Sequence, residues 1–290
     1  MGEILLKDPL FWEKAWKKEV ENSHLRRGRK TLQDTVNFWN KRADNFQKNV
    51  MGKQGDNRVN RVLDWLDRQG VELAGKDVLD IGAGPGAFSL AFARRCRSTS
   101  DCRYLEEMVK YLQSEVDRSG YDNVRIIQNT WEEVDLEKEE LLGRFDLAFA
   151  SMSPGINNLE TINKALDCTK EYFYFSSFAG LRENDLLTNL WPALYDDTLP
   201  AWPDQVVFVL NLLYSFGLFI NFEVWEERRS VELALPEALA GLLDELRNFG
   251  KEPSDAEEKL KDLLNKKMKE GVLLQKNRTR LGQILAKKTQ

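Results

Sequence analysis

The stretch that decides the fold is Val78-Leu79-Asp80-Ile81-Gly82-Ala83-Gly84-Pro85-Gly86. A short apolar run ends in a Gly-x-Gly-x-Gly turn, and the apolar helical pattern of residues 88–92 follows it directly. Glycines accept positive φ and let a ligand approach the backbone, while the amides of the following helix N-terminus face the same crevice. Strand, glycine turn and helix in this order predict a nucleotide-type cofactor site. Asp80 is placed to organise those amides or to accept from a ligand's ammonium group.

The chain beyond this turn alternates short apolar runs with helical patterns, which is typical of a parallel sheet wrapped by helices. The predicted strands are 77–81, 124–128, 145–150 and 172–178, and the predicted helices are 86–96, 104–118 and 158–169, with Gly120 as a helix stop. A longer strand at 222–233 and a final strand at 282–287 are expected to form an antiparallel edge. Helices at 236–249 and 254–268 separate them, and Asn277 to Arg280 is interpreted as a turn.

The N-terminal part of the chain, up to about Gly70, is predicted to be helical. Asp8-Pro9 is typical of a helix start, and Trp12, Trp16 and Val20 then recur on one face. A second helix is expected over residues 31–46 and a third over residues 59–66, ending near Gly70. We expect residues 1–50 to form a helical extension or lid, and residues 51–290 to form the main domain, with an insertion at about 180–220 and helices at about 235–270.

The glycine turn resembles the first motif of the class I, Rossmann-like S-adenosylmethionine-dependent methyltransferases, an acidic residue followed by x-Gly-x-Gly-x-Gly. Asp80 to Gly86 matches that motif throughout, and the resemblance extends over roughly residues 35–180. Within this family, the sequence is most similar in pattern to microbial small-molecule methyltransferases of uncharacterised activity. This resemblance implies a mostly parallel seven-stranded sheet with an antiparallel edge, helices on both faces and S-adenosyl-L-methionine as cofactor. The resemblance assigns cofactor contacts to Gly82, Ala83, Gly84 and Gly86.

The resemblance also supplies candidate contacts outside the turn. Phe38-Trp39-Asn40-Lys41-Arg42-Ala43 is similar to a segment that folds over the cofactor, which makes Trp39 and Arg42 candidates, although core packing would also explain Trp39. Ser151, Met152 and Ser153 end the fourth strand, beside the transferable methyl group in this family. The residues expected to surround the adenine are Tyr104, Met108, Thr130 and Trp131.

One position departs from the family pattern. The second strand normally ends in an acidic residue that holds both ribose hydroxyls, five positions before the residue corresponding to Met108, but here that position is Arg103. The preceding residues 97–102 are also polar for a central strand, which ought to be a nearly continuous apolar run. Either Asp101 supplies the carboxylate through a register shift, or ribose recognition is weakened or redistributed.

Two other classes of function compete with methyl transfer. Gly82-x-Gly84-x-x-Ala87 also satisfies a dinucleotide fingerprint, which would suit a nicotinamide-dependent oxidoreductase. Asp80 weighs against it, because a negative charge gains nothing beside a pyrophosphate. A protein that binds S-adenosylmethionine without catalysis is the other alternative. Methyl transfer from a sulfonium needs alignment and exclusion of water more than a dedicated base, so no catalytic residue is named.

Composition narrows the remaining possibilities. The 290 residues carry a net charge of -5, which gives no reason to expect a broad nucleic-acid-binding surface. The only histidine, His24, excludes a multi-histidine metal site, and no metal is expected. Three cysteines without a CxxC pair and the lack of a signal-peptide pattern favour the cytoplasm. We therefore expect a small-molecule acceptor, no membrane association and no nucleic acid, with aromatic residues of the 180–220 insertion either shaping the acceptor pocket or packing in a core.

Overall fold

A computed structural model describes residues 7–23, 53–251, 254 and 256–289. The predicted helix over residues 31–46 lies outside the described residues, as do the candidate cofactor contacts Trp39 and Arg42 and the single histidine, His24.

The described residues form nine helices and seven strands. The helices are α1 Pro9–Asn22, α2 Lys53–Arg68, α3 Ala87–Ala93, α4 Glu106–Ser119, α5 Leu159–Cys168, α6 Asp185–Tyr195, α7 Gln205–Ser215, α8 Leu235–Asn248 and α9 Glu257–Lys267. The strands are β1 Asp77–Ile81, β2 Ser98–Arg103, β3 Val124–Gln128, β4 Phe145–Ser151, β5 Thr169–Asn184, β6 Phe219–Leu233 and β7 Leu273–Lys287. None of the described helices combines the length and the apolar character needed to cross a membrane.

The seven strands form one sheet in the order β3-β2-β1-β4-β5-β7-β6. The first five strands in that order are parallel, and β7 runs antiparallel to both β5 and β6. This arrangement confirms the predicted mostly parallel seven-stranded sheet with an antiparallel edge. The direction of strand succession reverses between β1 and β4, and such a switch point is where ligands bind in open α/β sheets.

Helices cover both faces of the sheet because alternate residues of each strand point to opposite sides. On one face, Leu79, Ala148 and Phe173 lie in a core shared with α1, α5 and α7. On the other face, Val78, Phe149 and Tyr174 lie in a core shared with α2 and α3. The ring of Phe149 stacks on Tyr174 with centroids 4.4 Å apart. Two apolar layers therefore fix the positions of β1 and β4, whose ends flank the switch point.

The last strand differs from the prediction made from the sequence. β7 begins at Leu273, so the turn expected at Asn277 to Arg280 is wrong; these residues pair with β6. Their polarity suggested a turn, but strand pairing satisfies their backbone groups, and the Arg278 guanidinium contacts Glu226 of the neighbouring strand β6 at 3.2 Å. Two long antiparallel strands therefore extend the sheet well beyond its parallel part.

A second apolar core lies beyond the sheet. We call α6, α8 and α9 the helical cap; their buried residues form a cluster of their own that includes Leu187, Leu242 and Leu260. The cap follows the carboxyl ends of β5 and β6 and precedes the start of the antiparallel β7. It therefore lies at the carboxyl edge of the sheet, the edge that also carries the glycine turn after β1.

The aromatic residues of the 180–220 region pack in these cores. Trp191 is completely buried, with its ring 5.2 Å from Phe249 and 4.7 Å from Tyr195. Trp202 also contacts Phe249, at 5.2 Å between ring centroids. Phe208 of α7 stacks on Trp16 of α1. Of the two interpretations of these rings, ordinary packing accounts for their positions.

We expect Trp191→Ala to destabilise the helical cap strongly. Removing a large, fully buried aromatic side chain costs about 3–5 kcal/mol, because transfer free energy and packing are lost together. Chemical denaturation followed by circular dichroism measures the effect. Phe219→Ala removes an aromatic ring that is 67% exposed and should change the free energy of unfolding little. Equal losses in the two variants would contradict the packing described for the cap.

Candidate cofactor site

The glycine turn after β1 has the backbone conformation that its sequence predicts. Gly82, Gly84 and Gly86 have φ values of 68°, 54° and 93°, in the region that side chains with a Cβ rarely adopt. The Gly82 amide donates to the carbonyl of Cys102 in β2 at 2.9 Å, and the Gly86 amide donates to the carbonyl of Ala83 at 2.9 Å. The turn is thus closed on itself and attached to the neighbouring strand.

The end of β4 packs directly against this turn. A Cβ on Gly82 would collide with the Oγ of Ser153, and that Oγ accepts from the Gly155 amide at 3.1 Å. Met152 has a φ of 54°, which is uncommon for a residue with a side chain and occurs mostly where the surroundings enforce it. Its amide donates to the Ser176 carbonyl, and the hydroxyls of Ser151 and Ser176 lie 3.0 Å apart. The structure therefore brings together the predicted contacts from both sides of the switch point.

Arg103, at the end of β2, turns back into the protein. Its side chain is 3% exposed, and its guanidinium binds both carboxylate oxygens of Asp101, with the Nε to Oδ1 distance 2.6 Å. Its Nη1 donates to the carbonyl of Met108 at 2.8 Å. A Cβ on Gly86 would lie 3.2 Å from Nη2 of this arginine. The guanidinium therefore lies beneath the last glycine of the turn.

Asp80 belongs to the same buried group. Its side chain lies on the α3 face, next to Asp101 in the register of the two strands. Ser89 Oγ is 2.7 Å from Oδ2 of Asp80 and 2.5 Å from Oδ2 of Asp101. Burial, and then the charge of Asp101, raise the pKa of the Asp80 carboxyl to about 8. We call Asp80, Ser89, Asp101 and Arg103 the carboxyl cluster. The predicted contacts Asp80 and Asp101 thus point into the protein, where they support the turn from below.

The residues expected around the adenine have different environments. Trp131 is 3% exposed, and its indole Nε1 donates to the Thr161 carbonyl of α5 at 3.0 Å, so its ring is part of the apolar core. Thr130 is also buried, with its Oγ accepting from the Glu133 amide. Met108 is buried at the start of α4, whereas Tyr104 is 44% exposed. Tyr104 therefore has an accessible ring, whereas the buried Trp131 anchors the loop after β3 to the apolar core.

Sequence reasoning missed Lys164, which holds that loop in place. Its Nζ donates to the carbonyls of Trp131, Glu132 and Val134 at 2.9, 3.0 and 2.8 Å. A lysine in a predicted amphipathic helix looks like any solvated residue, and no local pattern marks this one. The three bonds satisfy backbone oxygens that would otherwise be partly buried without partners.

We expect Lys164→Met to loosen the loop after β3 and to lower the free energy of unfolding by roughly 1.5–3 kcal/mol, the usual worth of hydrogen bonds to a charged group. Urea denaturation and amide hydrogen exchange of the loop measure the two effects. Lys110→Met is the matched control, since Lys110 is an exposed helical lysine with surface ion pairs only. If exchange in the loop were the same in both variants, Lys164 would not have this role.

The thiols and acids add no further chemistry to this region. The three cysteines are buried and unpaired, and burial raises the pKa values of the Cys96 and Cys168 thiols to about 12, which keeps both protonated. Within the part of the chain that the structure describes, no group of three or more histidine, cysteine and acidic residues is arranged to hold a metal ion.

Comparison with known proteins agrees with this geometry. Residues 72–198 match the family model described as a methyltransferase domain. The YcgJ protein from Bacillus subtilis shares 17% identity with a TM-score of 0.52, covering 80% of this chain and 99% of that one. Magnesium protoporphyrin IX methyltransferase from Synechocystis PCC 6803, solved with bound S-adenosylhomocysteine, shares 14% identity with a TM-score of 0.50, covering 88% of this chain and 98% of that one. At these identities the two structures show a common fold.

A curated relative matches over a shorter stretch. The 23S rRNA (uracil(1939)-C(5))-methyltransferase RlmD of Aliivibrio salmonicida is 40% identical over 78 residues, which are 27% of this chain and 17% of that enzyme. The sheet order, the glycine turn and the family match together define a methyltransferase domain of the Rossmann-like class. The family match thus assigns a methyltransferase domain to residues 72–198, and the two solved structures share its Rossmann-like fold.

Proposed function

We propose that this protein transfers the methyl group of S-adenosylmethionine to a small-molecule acceptor bound between the glycine turn and the helical cap. The observation that carries the proposal is the contact of the Gly82–Gly86 turn with the end of β4, where Met152 has a positive φ at the switch point of the sheet. Strained backbone in such a position is characteristic of functional sites.

The residues of this chain fit the cofactor at most of the expected positions. The turn would approach the methionine part and the ribose through Gly82, Ala83, Gly84 and Gly86, because these residues leave the backbone accessible. Ser151 and Met152 would lie near the methyl group. Tyr104, Met108 and Thr130 would line the adenine side, while Trp131 supports the loop from within. Trp39 and Arg42 remain predicted contacts.

The ribose contact is the one that departs from the family pattern. Arg103 occupies the position of the usual acid, and Asp101 is fully buried with both oxygens bound to that arginine. We therefore attribute to Asp101 a positioning role through Arg103, and we assign the ribose to the backbone of the turn and to Tyr104. Of the two alternatives that the sequence left open, redistribution of ribose binding suits this geometry better than a shifted carboxylate.

Catalysis would rest on alignment of the acceptor with the methyl carbon and sulfur, and on exclusion of water. Asp204 is the candidate for holding or deprotonating the acceptor. Its Oδ1 is enclosed and has no hydrogen-bond partner among the described residues, and burial raises the pKa of its carboxyl. Next to it, Gln205 accepts from the Ser177 hydroxyl at 3.1 Å, on the α7 face of β5, opposite to the face on which Ser176 contacts Ser151. A hydroxyl or ammonium group would complete this polar edge.

A small molecule suits this edge better than RNA. Acidic and basic residues are nearly balanced in the segment 234–272 that contributes most of the helical cap, and the chain as a whole carries a net charge of -5. Binding to a phosphate backbone is dominated by positive charge. The match to the rRNA enzyme covers too little of that enzyme to extend its substrate to this chain.

The N-terminal extension is proposed to close over the acceptor side. Helix α1 packs on α7 through Trp16, which is 3% exposed and stacks on Phe208 with centroids 6.4 Å apart. Helix α7 starts beside Asp204, so α1 lies close to the proposed acceptor edge. We further propose the cytoplasm as the place of action, from the three unpaired cysteines.

Ligand binding discriminates between the cofactor classes. S-adenosylhomocysteine should raise the melting temperature of the protein and quench its tryptophan fluorescence, since a ligand that binds only the folded state stabilises it. Nicotinamide dinucleotides at the same concentrations should do neither. The reverse pattern would contradict methyl transfer and favour an oxidoreductase.

We expect Gly84→Val to abolish S-adenosylhomocysteine binding, measured by calorimetry, because a Cβ in this turn blocks the approach of the ligand. Gly143→Val is the matched control. Gly143 has a φ of 56°, close to the 54° of Gly84, but it precedes β4 and therefore lies at the opposite edge of the sheet. Both variants carry similar backbone strain, so equal affinities in the two would show that the turn is not the binding site.

Incubation with methyl-labelled S-adenosylmethionine identifies the class of acceptor. Label should move into the small-molecule fraction of a cell extract and remain absent from its RNA, and Asp204→Asn should reduce the transfer at least tenfold. A matched Asp196→Asn variant should retain activity, since Asp196 caps the end of α6. Transfer into RNA would overturn the small-molecule proposal, and binding without any transfer would favour a non-catalytic protein.

A further inference from the structure

In the carboxyl cluster beneath the glycine turn, one hydroxyl proton would have to serve two hydrogen bonds if both carboxyl groups were ionised. Ser89 Oγ lies within hydrogen-bond distance of Asp80 at 2.7 Å and of Asp101 at 2.5 Å. A serine hydroxyl has one proton to donate, and two ionised carboxylates can only accept. One of the two carboxyl groups must therefore carry a proton and donate it to the serine oxygen.

The pairing with Arg103 shows which carboxyl group is ionised. Both oxygens of Asp101 face the guanidinium, and a bidentate contact of this kind is made by a carboxylate. No cation among the described residues contacts Asp80 directly, and Asp80 is 1% exposed. A proton on Asp80 leaves one positive and one negative charge in the cluster, whereas its loss leaves a buried negative charge without compensation.

None of the described groups packed around Asp80 supplies a free positive charge that would favour loss of its proton. On β4 its register partner is Phe149, and α3 contributes the Ser89 hydroxyl. On β2 it faces Asp101, and Arg103 lies beyond that residue. The charged residues at the start of α4, Glu106, Glu107 and Lys110, are solvent-exposed and pair with one another. Among the described residues, the nearby Arg103 is thus already neutralised by Asp101.

We propose that Asp80 is a neutral carboxylic acid at physiological pH, that it donates through Ser89 to Asp101, and that this chain of hydrogen bonds positions Arg103 beneath the glycine turn. In alkaline solution Asp80 loses its proton to the solvent, the hydrogen bond to Ser89 is lost, and the support of the turn weakens. This inference concerns the protein without ligand and holds whether or not the proposed function is correct.

The pH dependence of stability follows from the direction of the pKa shift. The carboxyl of Asp80 has a pKa of about 8 in the folded protein, against 3.8 without the fold. Between these values the folded state holds a proton that the unfolded chain has lost. Stability from this group is therefore present in full below the unfolded pKa, decreases as the pH rises through the folded pKa of about 8, and becomes constant roughly one unit above it.

We expect Asp80→Asn to fold normally, because the amide reproduces the shape and the donor of a protonated carboxyl. Relative to this variant, the melting temperature of the wild type should fall by about 2 °C per pH unit between pH 5 and 8, the shift that one bound proton gives a chain of this size. The difference between the two curves should level off above about pH 9, where the titration is complete. Thermal denaturation across the pH range measures it.

Asp101→Asn is the matched control, because it removes the carboxylate that faces Arg103. We expect it to lower the melting temperature at every pH, since it leaves a buried arginine without its counter-charge. A drop of the same size in Asp80→Asn at pH 6 would overturn the proposal, because it would show that Asp80 acts as a carboxylate.

Carbon-13 spectra of aspartate-labelled wild type provide a test that needs no folded variant. The side-chain carboxyl signal of Asp80 should have the chemical shift of a protonated acid at pH 6 and titrate near pH 8. Asp80→Asn assigns that signal by removing it, and if this variant fails to fold, the signal of a protonated acid at pH 6 is itself the expected result. A set of aspartate signals that all show ionised carboxylates at pH 6 would overturn the proposal.

Discussion

The buried ion pair of Asp101 and Arg103 is the interaction on which the rest of the site depends. It allows a polar strand, β2, to occupy a central position in the sheet, and it places a guanidinium beneath Gly86. A buried charge without a partner is strongly destabilising, so each member requires the other. Arg103, at the position where the sequence pattern led us to expect a ligand-binding acid, therefore binds Asp101 inside the protein, which is why we propose that the turn itself contacts the ribose.

The apolar layers explain how this polar cluster is tolerated. Phe149 and Tyr174 lie in the same row of the sheet as Asp80, and the row continues through Leu285 of β7 to Asn221 of β6. The turn after β1 is therefore held by aromatic packing on the β4 side and by the Asp101–Arg103 ion pair on the β2 side. The long strands β5, β6 and β7 extend past the parallel part of the sheet. They connect to the helical cap, which lies at the carboxyl edge and has a separate apolar core.

The parts of the fold with local signals could be predicted from the sequence. The bounds of β1 and β3 were correct because each is a short run between clear breaks, and the fold class followed from the glycine turn. The start of β7 could not be predicted, since its polar residues become a strand only through pairing with β6. The direction of Arg103 and the bonds of Lys164 depend on contacts between distant segments, which no local pattern records. The cofactor assignments of individual residues remain predictions.

The contact between Gly82 and Ser153 has a consequence for the order of folding. These residues are 71 positions apart, since 153 minus 82 is 71, and they meet only when β1 and β4 are paired in parallel. Such non-local pairing is slow, because loop-closure entropy is lost before the contacts form. The contact between the turn and the end of β4 is therefore absent from a chain whose central sheet is incomplete. If the turn binds its ligand as we propose, binding would require the complete central sheet and would stabilise only fully folded molecules.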